Sequence, residues 1–399
     1  MNNSPDYDVV VIGGGPAGAI AATDLARRGR RVALLDRQGR IKPCGGAIPP
    51  KAIEEFELPD HLLKARVTGA RIVSPTHRCI DMPIDNNGYV GMVDRAEFDE
   101  WLRERAALQG ATRVRGEYED IVDNADGSVS VRYRDADGVS NVLRTRSVIG
   151  ADGAASRVAK ARVPGAGDTP YVYAYHEIIS APTAGSEGVD YSARRCDVVY
   201  DGKYSPDFYA WVFPHGDTVS IGVGTANKGF SLRGSVTALR KATGLDGQKT
   251  LRREGAPIPL RPLKRWDDGK CTVLAGDAAG VVAPASGEGI YYALLGGRLA
   301  ADAIEEFLVC GRPAVLAQAR KRFMKAHGKV FWVLGIMQRF WYHSDKRRER
   351  FVSMCGDRDV QRLTWEAYLH KRLVRAQPMA HLRIFLKDLA HLTGLVRPS

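Results

Sequence analysis

Three short runs combine glycine with a carboxylate at spacings suited to a phosphate-bearing cofactor that also carries a ring system. The first, Gly13-Gly14-Gly15-Pro16-Ala17-Gly18, spells G-x-G-x-x-G between a strand pattern and a helix pattern. Gly13 permits the tight turn, Gly15 lets backbone approach a pyrophosphate, and Gly18 allows close packing of helix on strand. Ala17 lies in the opening turn, where unpaired N–H groups and the helix dipole favour phosphate. Asp36 ends the next strand pattern, where its carboxylate can accept from ribose hydroxyls. The second run, Gly150-Ala151-Asp152-Gly153, also reads on its own as a tight turn. The third, Gly276-Asp277-Ala278-Ala279-Gly280, leads through Ser286-Gly287-Glu288-Gly289 into a helix opening at Ile290. Asp277 can hold a polyol by hydrogen bonds, or simply cap the turn. Gly287 and Gly289 let a flat ring approach backbone, and the positive helix end at Ile290 suits negative charge on a reduced ring. One nucleotide fingerprint rather than two makes FAD a better resident dinucleotide than NAD(P).

Further candidates lie outside these runs. Tyr209, Trp211 and Phe213 alternate along a strand pattern and so share one face. That face can line a tunnel for an apolar chain or form an aromatic core layer. Cys44 lies in Lys42-Pro43-Cys44-Gly45-Gly46-Ala47, where the residues alone read as a small buried thiol. His176 and His215 are candidate acids, but a lone histidine is more often a structural hydrogen-bonder, and neither is assigned catalysis. The 6 cysteines are far apart with no metal-ligand spacing, which points to reduced thiols and no metal site.

Alternating strands and helices must position these groups. Tyr7–Ile12 reads as a buried strand, Ala19–Arg28 as a helix and Arg31–Asp36 as a second strand. Asp94 and Glu97 form a capping pattern ahead of a helix over Arg95–Gln109. Short strands run on to Ile149, a strand covers Cys271–Ala275, and a helix covers Ile290–Val309. With 399 residues, 44% apolar and 26% charged, the chain is ordinary globular material for two or three domains. A disordered chain, a collagen and a disulfide-stapled scaffold are excluded. The apolar stretch Val9–Ala22 is no signal peptide: no Lys or Arg precedes it, and glycines and a proline interrupt it. No apolar run reaches the ~18 residues of a membrane span.

Together the three glycine runs resemble the FAD-binding fold of p-hydroxybenzoate-hydroxylase type. That fold class is α/β: a Rossmann-like FAD domain, an inserted β-rich substrate domain and a helical C-terminal region. The resemblance divides the chain into 1–65, 94–165 and 270–310 for FAD, 66–93 and 166–269 for substrate, and 311–399 as the helical region. It implies that Asp277 binds the ribityl chain and that Arg95 lies near FAD. Lys42-Pro43-Cys44-Gly45-Gly46-Ala47 and the Tyr209-x-Trp211-x-Phe213-Pro214 motif resemble the geranylgeranyl reductase family, closest to its (bacterio)chlorophyll branch. Tyr209 and Phe213 depart from the W-x-W-x-I-P motif of flavin-dependent halogenases. The family implies reduction of three isolated C=C bonds of a geranylgeranyl chain to phytyl, as pigment ester or free diphosphate. NADPH is the usual reductant, with reduced ferredoxin an open alternative. By the same resemblance Cys44, Gly45 and Ala47 lie near the flavin ring. Cys44, Tyr209 and Trp211 become the catalytic candidates, with Tyr209, Trp211 and Phe213 binding substrate. A flavin monooxygenase or epoxidase and a non-catalytic prenyl-binding protein are the alternatives.

The basic charge is concentrated. Residues 311–399 hold 19 Lys+Arg against 6 Asp+Glu, while the rest of the chain is near neutral. An aromatic run from Phe331 to Tyr342 is followed by Lys346, Arg347, Arg348 and Arg350, the pattern of an interfacial helix with a basic flank or of a helix packed on the enzyme body. The expected partner is an anionic membrane surface, with the protein cytoplasmic and peripheral at a photosynthetic or inner membrane. The family resemblance adds contact with a chlorophyll synthase. Nucleic acid is not expected, since no recognition fold is visible.

Overall fold

Val9, Val10 and Val11 are fully buried because Tyr7–Ile12 is the inner strand of a parallel core, flanked on both sides. Its neighbours are Val32–Asp36 and the end of Ser140–Gly150, and Thr112–Arg115 extends the sheet beyond Val32–Asp36. On the other side Ser140–Gly150 pairs antiparallel with Val129–Arg134, which pairs with Glu117–Asp123. Thr272–Leu274 runs parallel to residues 148–150. This computed structural model describes residues 5–37, 41–183 and 185–371. The chain divides into two compact units, and the sheet above belongs to the first, made of residues 1–42, 95–171 and 257–335.

The first helix, Pro16–Arg27, packs on the long helix Ile290–Cys310. Small residues set how closely they approach. A Cβ at Gly297 would lie 2.1 Å from the Ala17 carbonyl oxygen, so only glycine fits. Ala19, Ala21 and Ala22 are fully buried in the first helix.

The second unit comprises residues 43–94, 172–256 and 336–399. Its main sheet has seven strands. In spatial order they are Thr250–Pro259, Tyr171–Ser180, Thr218–Thr225, Ala210–His215, Arg195–Val199, Gly69–Val73 and Cys79–Pro83. One face carries Val212, Ile221 and Val223 and packs with Val236 and Leu239 of the helix Leu232–Ala242. A three-stranded sheet is formed by Ala47–Ile48, Val90–Val93 and Leu63–Val67.

Residues 345–370 fold as two helices, Asp345–Met354 and Arg358–His370. Phe351 meets Tyr200 edge-on at 5.0 Å. Leu369 joins Val67, Val90 and Met92 in a buried cluster against which Phe213 packs. Arg348 corrects the reading of the basic cluster as a solvent-facing flank. Only 2% of its side chain is exposed, because the guanidinium turns inward to Asp345 and to the carbonyls of Pro206 and Tyr342. Lys346 is exposed, and Arg347 lies over the Phe340 ring at 4.3 Å. The final part of the basic block lies outside the described residues. Among those described, no helix is long and apolar enough to cross a membrane.

Candidate functional site

The site residues fall into two sets, one in each unit. In the first unit the three glycine runs meet. Gly13 has φ of +106°, and a Cβ there would lie 2.3 Å from the Ala151 oxygen of the second run. A Cβ on Gly18 would lie 1.8 Å from the Gly13 oxygen. A Cβ on Gly15, by contrast, would meet nothing within 4 Å. That open ground lies at the N-cap of Pro16–Arg27, a helix start with no side-chain cap and no acid in its first turn. The N–H groups of Ala17 and Gly18 have no acceptor within the helix, so the cradle suits a pyrophosphate. Asp36 accepts the Gly14 N–H at 2.9 Å, and the Arg103 guanidinium stands 3.4 Å away. Burial raises the Asp36 pKa above the usual carboxylate value, against the lowering effect of the Gly14 hydrogen bond and Arg103.

The third run reaches the same place. A Cβ on Gly276 would lie 2.8 Å from the Ala17 methyl. Asp277 is buried and paired with Lys42, a residue that sequence reasoning quoted in its motif but did not assign to the site. Gly287 has φ of +64°, and Gly289 is the N-cap of Ile290–Cys310. Buried Glu288 accepts the Tyr291 N–H at 3.0 Å and fixes that helix start. Arg95 is buried and makes two 2.7 Å bonds to Asp99. Asp152 accepts from Ser156 and from the N–H groups of Arg157 and Val158, so it caps the helix Arg157–Arg162. An FAD fits this set: an open glycine cradle for phosphates, a carboxylate at the strand end for ribose, and a buried carboxylate at the third run for the ribityl chain.

The second unit assembles the other set. Tyr209 and Trp211 are buried, and the Trp211 ring centroid lies 6.1 Å from Tyr209 and 6.2 Å from Phe213. All three occupy the face opposite the Leu232–Ala242 helix, as strand alternation requires. The Cys44–Ala47 loop lies on this strand. A Cβ on Gly45 would stand 3.1 Å from the Phe213 ring, and one on Gly46 2.5 Å from His215 Nε2. Ala47 pairs with Met92, and the half-buried Cys44 Sγ accepts the Gly46 N–H at 3.4 Å. Burial holds the Tyr209 hydroxyl far above its ordinary pKa, with Tyr342 and Cys44 adding smaller effects in the same direction. Burial pushes His215 down to about 4, so it is neutral near pH 7, with Nδ1 facing the Phe213 carbonyl at 3.1 Å. His176 lies between Ser220 and Glu254, at 2.9 Å from each. Sequence reasoning did not foresee Ser220 or Glu254, since their partners are 44 and 78 residues away.

The fold and the glycine cradle define a flavoprotein of FAD-binding type, and residues 6–169 match the family described as FAD binding domain. The chain is 58% identical to the geranylgeranyl diphosphate reductase of Rhodobacter capsulatus, covering 98% of this chain and 99% of that protein. It is 38% identical to the enzyme of the same name from Synechocystis, covering 96% and 97%. Among solved structures, a geranylgeranyl bacteriochlorophyll reductase-like protein from Thermoplasma acidophilum superimposes with a TM-score of 0.81. That match has 20% identity and covers 94% of this chain and 99% of that one, which shows the shared fold. The chain belongs to the geranylgeranyl diphosphate reductase family.

Proposed function

We propose that this protein reduces isolated carbon–carbon double bonds of a geranylgeranyl chain, with FAD as its resident cofactor. The full-length 58% identity to a geranylgeranyl diphosphate reductase carries the reading. It favours a reductase over a monooxygenase or a non-catalytic prenyl carrier. FAD, when bound and reduced, supplies the hydride. Gly13, Gly15, Ala17 and Gly18 hold its phosphates, Asp36 its ribose, and Asp277 with Lys42 its ribityl chain.

An isolated alkene has no carbonyl to polarise it, so positive charge develops on its more substituted carbon as reduction proceeds. Tyr209 and Trp211 offer ring faces that stabilise such charge by about 0.5–2 kcal/mol. With Phe213 they hold the chain and exclude water. Cys44 Sγ is the proposed carrier of a proton to the alkene. A stopped-flow comparison of wild type and Cys44→Ser tests it: unchanged oxidation of the reduced enzyme by substrate removes the thiol from the reaction.

The finer reading is reduction of three double bonds to phytyl, on a pigment ester or the free diphosphate, with NADPH as donor. Anaerobic incubation of reduced enzyme with each substrate decides the first point, through product masses rising in steps of two hydrogens. Mass unchanged on both substrates refutes the proposal. Reduction of the bound flavin by NADPH, against reduced ferredoxin, decides the donor.

We also propose that the protein is cytoplasmic and peripheral at an anionic membrane, beside a chlorophyll synthase. Support comes from the helix Gln318–Trp341, on which Trp332, 69% exposed, stands beside exposed Val333 and Ile336. Exposed Lys325, Lys329 and Arg339 share that helical face at three- and four-residue spacing. Flotation with anionic vesicles tests this: Trp332→Ala with Ile336→Ser releases the protein, and full retention refutes the anchor.

A further inference from the structure

A polar chain runs across four strands of the seven-stranded sheet and ends on Trp211. The Trp211 Nε1–H donates to Ser220 Oγ at 3.1 Å. His176 Nδ1 lies 2.9 Å from the same oxygen, and His176 Nε2 lies 2.9 Å from Glu254 Oε2. Glu254 pairs in turn with Arg252 at 3.1 Å, and Arg252 with Asp94 at 3.0 Å. Trp211, Gly222 and His176 are direct neighbours across the ladder. Gly222 makes room: a Cβ there would lie 2.3 Å from the indole and 2.5 Å from His176 Cβ.

With a neutral His176 ring, the hydrogen inventory gives one direction for each bond. The indole N–H can only donate, and an ionised carboxylate can only accept. His176 therefore carries its proton on Nε2 toward Glu254, leaving Nδ1 to accept the Ser220 O–H when the ring is neutral. Ser220, fully buried, then spends its proton on His176 and a lone pair on Trp211. Buried polar groups are costly unless paired, and Trp211, Ser220, His176 and Glu254 are each paired along this chain.

We infer that His176 is a positioning residue for the reaction: through Ser220 it fixes the Trp211 indole against the alkene chain. Glu254 holds the tautomer that makes this possible. The inference rests on the geranylgeranyl reductase reading, which gives Trp211 its part in the chemistry.

The test uses FAD-loaded enzyme carrying ¹⁵N-labelled tryptophan, with the Trp211 indole N–H resonance identified by its loss in Trp211→Phe. Ser220→Ala and His176→Leu are expected to shift that resonance. They should also lower kcat about tenfold, as a small misplacement of a reacting group does, with KM changed less than about twofold. His176→Gln, which keeps a donor for Glu254 and a partner for Ser220, should restore both the resonance and most of kcat, and it keeps the test open if Ser220→Ala does not fold. An unmoved resonance in His176→Leu, or a shifted resonance with wild-type kcat, overturns the inference. The resonance is read without substrate. Failure of the wild type to reduce geranylgeranyl substrates would therefore strike the functional reading and leave the positioning result standing.

Discussion

Replacing Arg348 with alanine separates two roles that a basic cluster can play. The side chain is 2% exposed and donates to the carbonyls of Pro206 and Tyr342, while its acidic partner Asp345 is 55% exposed. Arg348→Ala leaves the buried Tyr342 carbonyl and the half-buried Pro206 carbonyl without their donor, at about 1–2 kcal/mol each. Asp345 can turn to water, and it retains the Gly202 N–H at 2.9 Å, so no charge is stranded. A loss of about 2–4 kcal/mol follows. The second unit has about 200 residues, for which 1 kcal/mol moves Tm by roughly 2–4 °C. Scanning calorimetry of the FAD-loaded protein should therefore show Tm lowered by about 5–15 °C. Lys346→Ala, at an exposed neighbour, should stay within about 0.5 kcal/mol of wild type. A melting point for Arg348→Ala within about 2 °C of wild type, together with reduced vesicle binding, would refute the structural role and return Arg348 to the membrane face.

Gly297→Ala should cost about 1–3 kcal/mol by overpacking against the Ala17 carbonyl, despite alanine's better helix propensity. Because Ala17 lies in the phosphate cradle, flavin fluorescence titration should show weaker FAD binding. Trp211→Leu should slow turnover by roughly 2- to 30-fold with FAD content unchanged, the range set by the ring's contribution to cation stabilisation. Wild-type turnover would remove the indole from the chemistry. His215 has a folded pKa of about 4 against about 6.5 unfolded, so the unfolded chain binds more protons between these values. Its stabilising effect is complete above about pH 6.5 and is lost as pH falls toward 4, a change on the order of 3 kcal/mol. Denaturant unfolding of wild type and His215→Gln across that window should show a shallower pH slope in the variant.

What the sequence determined by itself is local. The G-x-G-x-x-G run, its flanking strand and helix, and Asp36 at the next strand end follow from turn sterics and short-range periodicity. The alternation of Tyr209, Trp211 and Phe213 follows from the two-residue repeat of a strand, and all three do share a face. Pairing over long distances was beyond such signals. Lys42 meets Asp277 across 235 residues, and Gly297 receives Ala17, because two helices and a strand end converge there. Ser220 and Glu254 gained their meaning only when strand order put them on either side of His176. The basic block shows the limit most plainly. Residue type declares a charge, but only packing decides whether the charge faces water, and Arg348 is turned inward because two backbone carbonyls there need a donor.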